Sequence, residues 1–333
     1  MNNEKVKYGQ YYTNFNCFKL EIFKEWFDII PDNKKQTILE PFAGSNNIVK
    51  LIDDIGIKSK WKCYDILPSK INQYPKYEIK EKDTLKSFPS GYFTVVTNPP
   101  YLGKSSAKRR GINFPDTIYD DLYKYSLAKI LDNCEYAATI IPESFITQGL
   151  FHDRLYSIAS LTYKMFNDTE CPVCLALFVP KYLKKQEDYK IYENNKFIGS
   201  YQELKAKSIN STYKIACWKS NDKGSIGVIC IDNTKEDSIK FVKGEELDND
   251  IKKSRAFLRL EGLPKDINRD EFLKCCNNEL AKYRKETNDV LLTAFKGLRT
   301  DNKYRRRLDF KTAKQILSYM LEKYECDFVC KAA

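Results

Sequence analysis

Along the first 180 residues, short apolar runs alternate with stretches that repeat at helical spacing. Phe18, Ile22, Phe23, Trp26, Phe27 and Ile30 share one helical face, and Pro31 stops the helix. Thr37-Ile38-Leu39 reads as a short buried strand ended by Glu40-Pro41, and Ile48 to Ile55 continues as a helix. Trp61 to Tyr64 predicts the next strand, with Asp65 at its tip. Tyr77 to Ile79, Phe93 to Thr97, Ala137 to Ile141 and Leu175 to Val179 predict further strands, and Leu122 to Leu131 a helix. Strands that alternate with helices predict a Rossmann-like α/β domain with a mainly parallel sheet. Pro180, followed by the polar stretch Lys181 to Lys190, marks the expected boundary between a domain of residues 1–180 and one of residues 181–333. In the second part, Tyr213 to Trp218 and Ile226 to Ile231 flank Ser220-Asn221-Asp222-Lys223-Gly224-Ser225, a hairpin signal. Glu271 to Tyr283 and Lys311 to Lys323 have helical spacing, so this part is expected to be a smaller α+β domain.

Composition narrows the class. The chain has 333 residues, room for two ordinary domains, and 42% of them are hydrophobic. No apolar run approaches the ~20 residues of a membrane span. Met1 to Gln10 is polar and charged, unlike a secretory signal. The cysteines number 11, an odd count at irregular spacing, which reads as reduced cytoplasmic thiols. Cys171-Pro172-Val173-Cys174 lies in an apolar run without a second ligand pair, so it reads as core. With one histidine, His152, a His-rich metal site is excluded and no metal is expected. The net charge of +11 is uneven: residues 1–180 carry 23 Lys+Arg against 21 Asp+Glu (+2), and residues 181–333 carry 33 against 24 (+9). A near-neutral part joined to a basic part suggests chemistry in the first and a polyanion grip in the second.

Two motifs carry the chemistry. Asn98-Pro99-Pro100-Tyr101 follows the run Phe93 to Thr97, so it sits where a buried strand ends. Ligands of open α/β sheets collect at such ends. The two prolines donate no N–H and stiffen the turn. The Asn98 side chain and the Pro99 carbonyl are then two acceptors at one point beside an aromatic ring, a constellation that suits a planar amino group. Earlier, Glu40-Pro41-Phe42-Ala43-Gly44-Ser45-Asn46-Asn47 reads as strand, tight turn and helix start, with Ser45 or Asn46 as the helix cap. It is neither the dinucleotide fingerprint nor a Walker loop. The acid Glu40 there argues for a cationic or neutral ligand rather than a pyrophosphate. Asp65 and Asp83 stand near the ends of the next two predicted strands; the first could accept from ribose hydroxyls and the second from an adenine amino group.

In these motifs and their order, the chain resembles the amino-group DNA methyltransferases that use S-adenosyl-L-methionine. Gly9-Gln10-Tyr11-Tyr12-Thr13, the Glu40 to Ser45 loop, Asn98 to Tyr101 and then a C-terminal domain match the order of the gamma class, whose target-recognition domain lies last. The resemblance covers residues 8–180. Asn46 departs from the glycine usual there, though asparagine tolerates left-handed geometry. The resemblance implies that Tyr12 and Thr13 contact the methionine part of the cofactor. It places Glu40, Ala43 and Gly44 at the cofactor's amino-acid end, Asp65 on the ribose and Asp83 on the adenine. Asn98, Pro99, Pro100 and Tyr101 would hold the target amine, Asn98 also touching the cofactor, and Phe166 would stack the flipped base opposite Tyr101.

The implied activity is site-specific methylation of adenine N6 in double-stranded DNA, of the restriction–modification type. The enzyme would work in the cytoplasm of a bacterial or phage-infected cell, without a membrane or a cognate protein partner, and paired functionally with a restriction endonuclease where one is present. Ribosomal RNA adenine-N6 and DNA cytosine-N4 methylation are the alternatives. The strongest segment for DNA is Lys296 to Arg307, in which Arg299, Arg305, Arg306 and Arg307 could read guanine and Asn302 adenine, or could meet phosphates. Lys104, Lys108, Arg109 and Arg110 form a second basic cluster just after Tyr101. The hairpin at Trp218 to Ser225 is read either as groove-entering or as a plain surface turn.

Overall fold

The β-branched run Thr94-Val95-Val96-Thr97 is buried at every position, as expected of a strand at the centre of a covered sheet. A computed structural model describes residue 13 and residues 15–166, 169–184, 187–247 and 255–332. The chain divides into two units, 1–200 and 201–333.

The first unit is built on a nine-stranded sheet. Its strands are β1 (Thr37–Glu40), β2 (Lys60–Asp65), β3 (Ile79–Glu81), β4 (Thr94–Thr97), β5 (Tyr136–Pro142), β6 (Leu155–Leu161), β7 (Val173–Phe178), β8 (Lys190–Glu193) and β9 (Lys196–Ser200). They lie in the order β3-β2-β1-β4-β5-β7-β6-β8-β9. β3, β2, β1, β4 and β5 pair parallel; β7 runs against both β5 and β6, β6 pairs parallel with β8, and β9 turns back on β8. All strands except β7 and β9 therefore point the same way. The Rossmann-like α/β architecture expected from the strand–helix alternation is present. The order reverses between β1 and β4, and the crevice outside the carboxyl ends at such a reversal is where this architecture binds ligands.

Helices α1 (Glu21–Asp28), α2 (Asp32–Lys35), α3 (Asn47–Asp53), α4 (Lys104–Arg109) and α5 (Leu122–Asn133) connect these strands. The helix expected over Phe18 to Ile30 is interrupted: Cys17–Lys19 is a 3-10 turn, and Leu20 is extended (ψ 140°) before α1 begins. The apolar face is kept nevertheless. Phe18, Phe23 and Trp26 are fully buried against one another, and the Trp26 indole donates to the Phe178 carbonyl at 2.9 Å. The strand expected at Tyr77 to Ile79 lies two residues later, as β3. β6, β8 and β9 were not expected at all. Ser157 and Ser160 interrupt the apolar run of β6, yet both are buried because the strand is flanked on both sides. The polar stretch Lys181 to Lys190 leads into β8, and the pairing of β8 with β6 and β9 carries the first unit on to Ser200 instead of residue 180.

The second unit holds α6 (Tyr201–Ala206), α7 (Arg269–Thr287) and α8 (Phe310–Ala332). It also holds an antiparallel sheet in the order β10-β13-β11-β12: β10 (Lys219–Ser220), β11 (Ile226–Ile229), β12 (Lys240–Lys243) and β13 (Phe257–Glu261). A two-stranded ribbon of β14 (Thr293–Leu298) and β15 (Tyr304–Arg307) completes it. Its core gathers Trp218, Phe241, Leu260, Phe272 and Leu317. The hairpin expected around Ser220 to Ser225 is not formed. β10 and β11 both pair with β13 and not with each other, and Trp218 lies inside, stacked on Phe272 (6.2 Å, 21°). An apolar indole next to a turn signal was drawn inward by the core.

Candidate active site

β1 and β4 are adjacent, so the two sequence motifs that follow them meet. The first hydrogen bond between them is a side-chain one: Thr97 Oγ1 donates to Glu40 Oε1 at 2.5 Å. Phe42 N–H donates to the same oxygen (3.0 Å), whereas Glu40 Oε2 is buried without a hydrogen-bond partner among the described residues. Burial raises the Glu40 pKa to about 8, the bonds from Thr97 and Phe42 pulling the other way and the charge of Asp65 adding to the rise. An acid in this state lacks a positive partner.

The glycine loop is held from three sides. Gly44 (φ 55°) and Asn46 (φ 64°) are left-handed, and Asn46 occupies the helix N-cap position without a side-chain capping bond. Its amide points instead to Tyr77 O (2.8 Å) and Asn72 Oδ1 (3.1 Å), so the capping expected of it is not made. Asparagine does here what the glycine usual in the motif would do with φ, and adds a tie to residues 72–77. Ala43 N–H donates to Tyr64 O (2.8 Å) and Gly44 N–H to Asp65 Oδ2 (2.8 Å). Ser69 and Gln73 amides donate to the Gly44 and Ser45 carbonyls (2.9 and 2.8 Å). Loop and β2 tip are therefore one rigid piece.

Asp65, at the end of β2, is buried and also accepts from Leu67 N–H (2.8 Å). A carboxylate oxygen can accept from more than one donor. Asp83 follows β3 and accepts from the Leu85 and Lys86 amides (both 3.1 Å). Its neighbour Thr84 donates to Pro41 O (3.0 Å), which brings the β3 loop against the β1 loop. Two apolar residues that the sequence reading passed over, Ile66 and Leu67, are exposed directly beyond Asp65 (41% and 37%). The signal was there, two large aliphatics following an acid at a strand tip, an apolar floor for a flat ring.

At the end of β4, Asn98 Oδ1 accepts from the Tyr101 hydroxyl (2.6 Å), and Asn98 Nδ2 donates to Thr13 Oγ1 (3.4 Å). The Tyr101 hydroxyl is equally near Ile140 O (2.6 Å), so one proton serves two acceptors. Thr13 is buried, and its carbonyl accepts from Asn47 Nδ2 (3.1 Å), which ties it to α3 as well. The expected site residues Thr13, Glu40, Ala43, Gly44, Asp65, Asp83, Asn98, Pro99, Pro100 and Tyr101 thus gather at the carboxyl ends of β1 to β4. Tyr12 lies outside the described residues. Glu143, at the end of β5, is a buried acid that the sequence reading also missed; it accepts from Ser160 Oγ at 2.6 Å.

Two expected placements are corrected. Phe166 is buried and meets Tyr101 edge to face (6.3 Å, 71°), so the two rings do not face each other across a slot. Edge-to-face contact is a favoured packing for neighbouring rings, and holding a flat base between them takes a rotation of one ring. The second correction concerns the basic ribbon. Arg299 and Arg306 are interior, not displayed: Arg299 pairs with Asp237 and Asp301 (2.5 Å), and Arg306 points to Leu292 O. Arg305 donates to Asp232 O (2.8 Å) and lies over Phe295, and Arg307 is half-buried. Asn302 is exposed at the turn, in left-handed geometry (φ 60°). By contrast, Lys104, Lys108, Arg109 and Arg110 are all exposed on and just after α4.

No protein-family model matches the chain, and no curated protein matches its sequence. Among solved structures, it is similar to a type I restriction–modification methyltransferase subunit from Streptococcus thermophilus, at 15% identity and a TM-score of 0.40 over 56% of this chain and 48% of that one. It is also similar to a modification subunit of a candidate type I restriction enzyme from Vibrio vulnificus (16%, 0.40, over 56% of this chain and 47% of that one). A third likeness is to a candidate RNA methyltransferase from Pyrococcus horikoshii (17%, 0.37, over 54% and 92%). The chain spans about half the length of the first two.

Proposed function

We propose that this chain is an S-adenosyl-L-methionine-dependent methyltransferase that modifies the N6 amine of a flipped-out adenine in duplex DNA. The observation that carries the reading is the meeting, across the β1–β4 switch point, of a buried, partner-seeking Glu40 with the Asn98 to Tyr101 turn. Glu40 Oε2 fits the α-ammonium of the cofactor, Asp65 its ribose hydroxyls, and Ile66, Leu67 and Asp83 its adenine. When bound, the cofactor supplies an electrophilic methyl group.

The rest is done by the chain. Asn98 and the Pro99 carbonyl accept the two N–H bonds of the target amine, which draws its lone pair out of conjugation and aims it. Positioning and preorganised dipoles are the main contributions, and no strong base is needed before attack. Tyr101 offers a stacking face that offsets the cost of extruding the base. The second unit, 201–333, is assigned to target recognition.

Incorporation of labelled methyl from S-adenosylmethionine into duplex DNA, folded RNA or neither tests the class of substrate. Label in the N6-methyladenine of digested DNA is the expected result. Label confined to RNA, or to N4-methylcytosine, would replace the reading with one of its two alternatives.

A further inference from the structure

Residues 103–121 form a closed loop that starts two residues after Tyr101. Its stems are clasped: Leu122 N–H donates to Leu102 O (3.0 Å), Lys104 N–H to Asp120 O (2.7 Å), and Gly103 bridges Asp121. Asp121 caps α5 and also accepts from the Leu102 amide (3.3 Å). Inside the loop, Ala107, Ile112 and Phe114 pack with Leu102 and Leu122. A loop filled by its own side chains holds its shape without a partner.

Its outside is unusual in two independent ways. Lys104, Lys108, Arg109 and Arg110 are four exposed cations within seven residues, and none is in an ion pair among the described residues. Of the acids nearby, Asp120 pairs with Lys124 (2.6 Å) and Asp121 is taken up by the cap, while Asp116 is exposed. Ile118, on the same loop, is 94% exposed, more than any other large hydrophobic residue described. Leaving such a side chain in water forgoes the gain of burying it.

We infer that this loop is the strand-gripping element of the first unit, with its four cations on the phosphates of the target strand and Ile118 an apolar wedge against the bases. The inference rests on the nucleic-acid reading above. Cations that are exposed and unpaired match a polyanion. An aliphatic side chain beside them matches the unstacking contact made by proteins that distort a duplex. The clasp sets both next to the turn that would receive the extruded base. The grip on DNA is then shared with the first unit, whereas in the second unit Arg284, Arg299 and Arg306 are turned inward.

The test uses the full chain and a fluorescein-labelled DNA duplex of arbitrary sequence, titrated by anisotropy across a salt series. In the combined variant Lys104→Gln, Lys108→Gln, Arg109→Gln and Arg110→Gln, the slope of log K against log salt should shrink by about 3–4, since each phosphate contact contributes roughly 0.9. Ile118→Ala should keep the slope and weaken binding about tenfold at every salt concentration. An unchanged slope in the combined variant overturns the inference, and unchanged affinity in Ile118→Ala removes the wedge. Cofactor binding, followed by calorimetry with S-adenosylmethionine, should be the same in all three proteins. If the slope shrinks while no protein transfers methyl groups, the loop assignment stands and the enzymatic reading fails. If wild type methylates DNA and the slope does not move, the reverse holds.

Discussion

Glu40 pays for its position. With its carboxyl pKa raised by burial from 4.5 to about 8, the folded protein holds a proton there that the unfolded chain releases. Without ligand, Glu40 therefore makes folding stability fall as pH rises from about 4.5 to about 8, by up to ~5 kcal/mol, and removes nothing more above that. Glu40→Gln should flatten this fall in denaturant titrations at several pH values. Ammonium binding reverses the preference, so cofactor uptake near neutral pH should release a proton, visible in calorimetry as a heat that depends on the buffer. The same heat in every buffer would dismiss the Glu40–ammonium pair. Asp65→Ala should weaken cofactor binding at least tenfold, about 1.4 kcal/mol. It should also destabilise the apo protein by about 1–3 kcal/mol, because the Gly44 and Leu67 amides lose their acceptor. Asn98→Ala should abolish methyl transfer while calorimetric cofactor affinity stays within a factor of a few; turnover near wild type would defeat the proposed role.

At the scale of the element, the β14–β15 ribbon teaches the most. Asp232 is fully buried just beyond β11 and receives Arg284 on both oxygens (2.9 and 2.8 Å), with Arg299 close by at 3.6 Å. Burial pushes its pKa up, but the Arg284 contacts more than offset that and hold it below the ordinary carboxylate range. Asp232 thus supports stability at neutral pH, and this support is lost as pH falls below the carboxylate range. Arg299→Ala should cost about 3–5 kcal/mol, the penalty for breaking a buried pair, and leave the salt slope of DNA binding untouched. A normal melting temperature with a reduced slope would return Arg299 to the DNA surface. The basic run from Arg299 to Arg307 looks the same in sequence whether it faces solvent or not. Its partners Asp232 and Asp237 lie more than 60 residues upstream, and nothing local announces them.

For the whole molecule, the division at Ser200 reassigns charge. Residues 1–200 carry 28 Lys+Arg against 24 Asp+Glu (+4), and residues 201–333 carry 28 against 21 (+7), a milder contrast than a boundary at 180 gives. Each unit has its own buried core, and the proposed cofactor site lies wholly in the first. Scanning calorimetry should therefore resolve two transitions, with S-adenosylmethionine raising one of them; at a hundred times its Kd the gain is about 2.7 kcal/mol. A single transition, raised as a whole by the cofactor, would show that the units unfold as one. None of the described helices is long and apolar enough to cross a membrane.

The sequence alone determined the central strands and the residues at their tips. Buried strands at the middle of a sheet are continuous apolar runs, and a ligand loop after such a strand needs the small, stiff or acidic residues that stand at 40–46 and 98–101. It could not determine the outer strands β6, β8 and β9, whose polar residues are tolerated only because neighbours pair with them. It could not show that Phe166 turns its edge to Tyr101, or that Asn46 spends its amide on residues 72–77 instead of a cap. Nor could it tell the arginines that hold Asp232 and its neighbours from those left on the surface at 104–110. A side chain's direction is set by partners remote in sequence, and only the folded chain brings those partners to it.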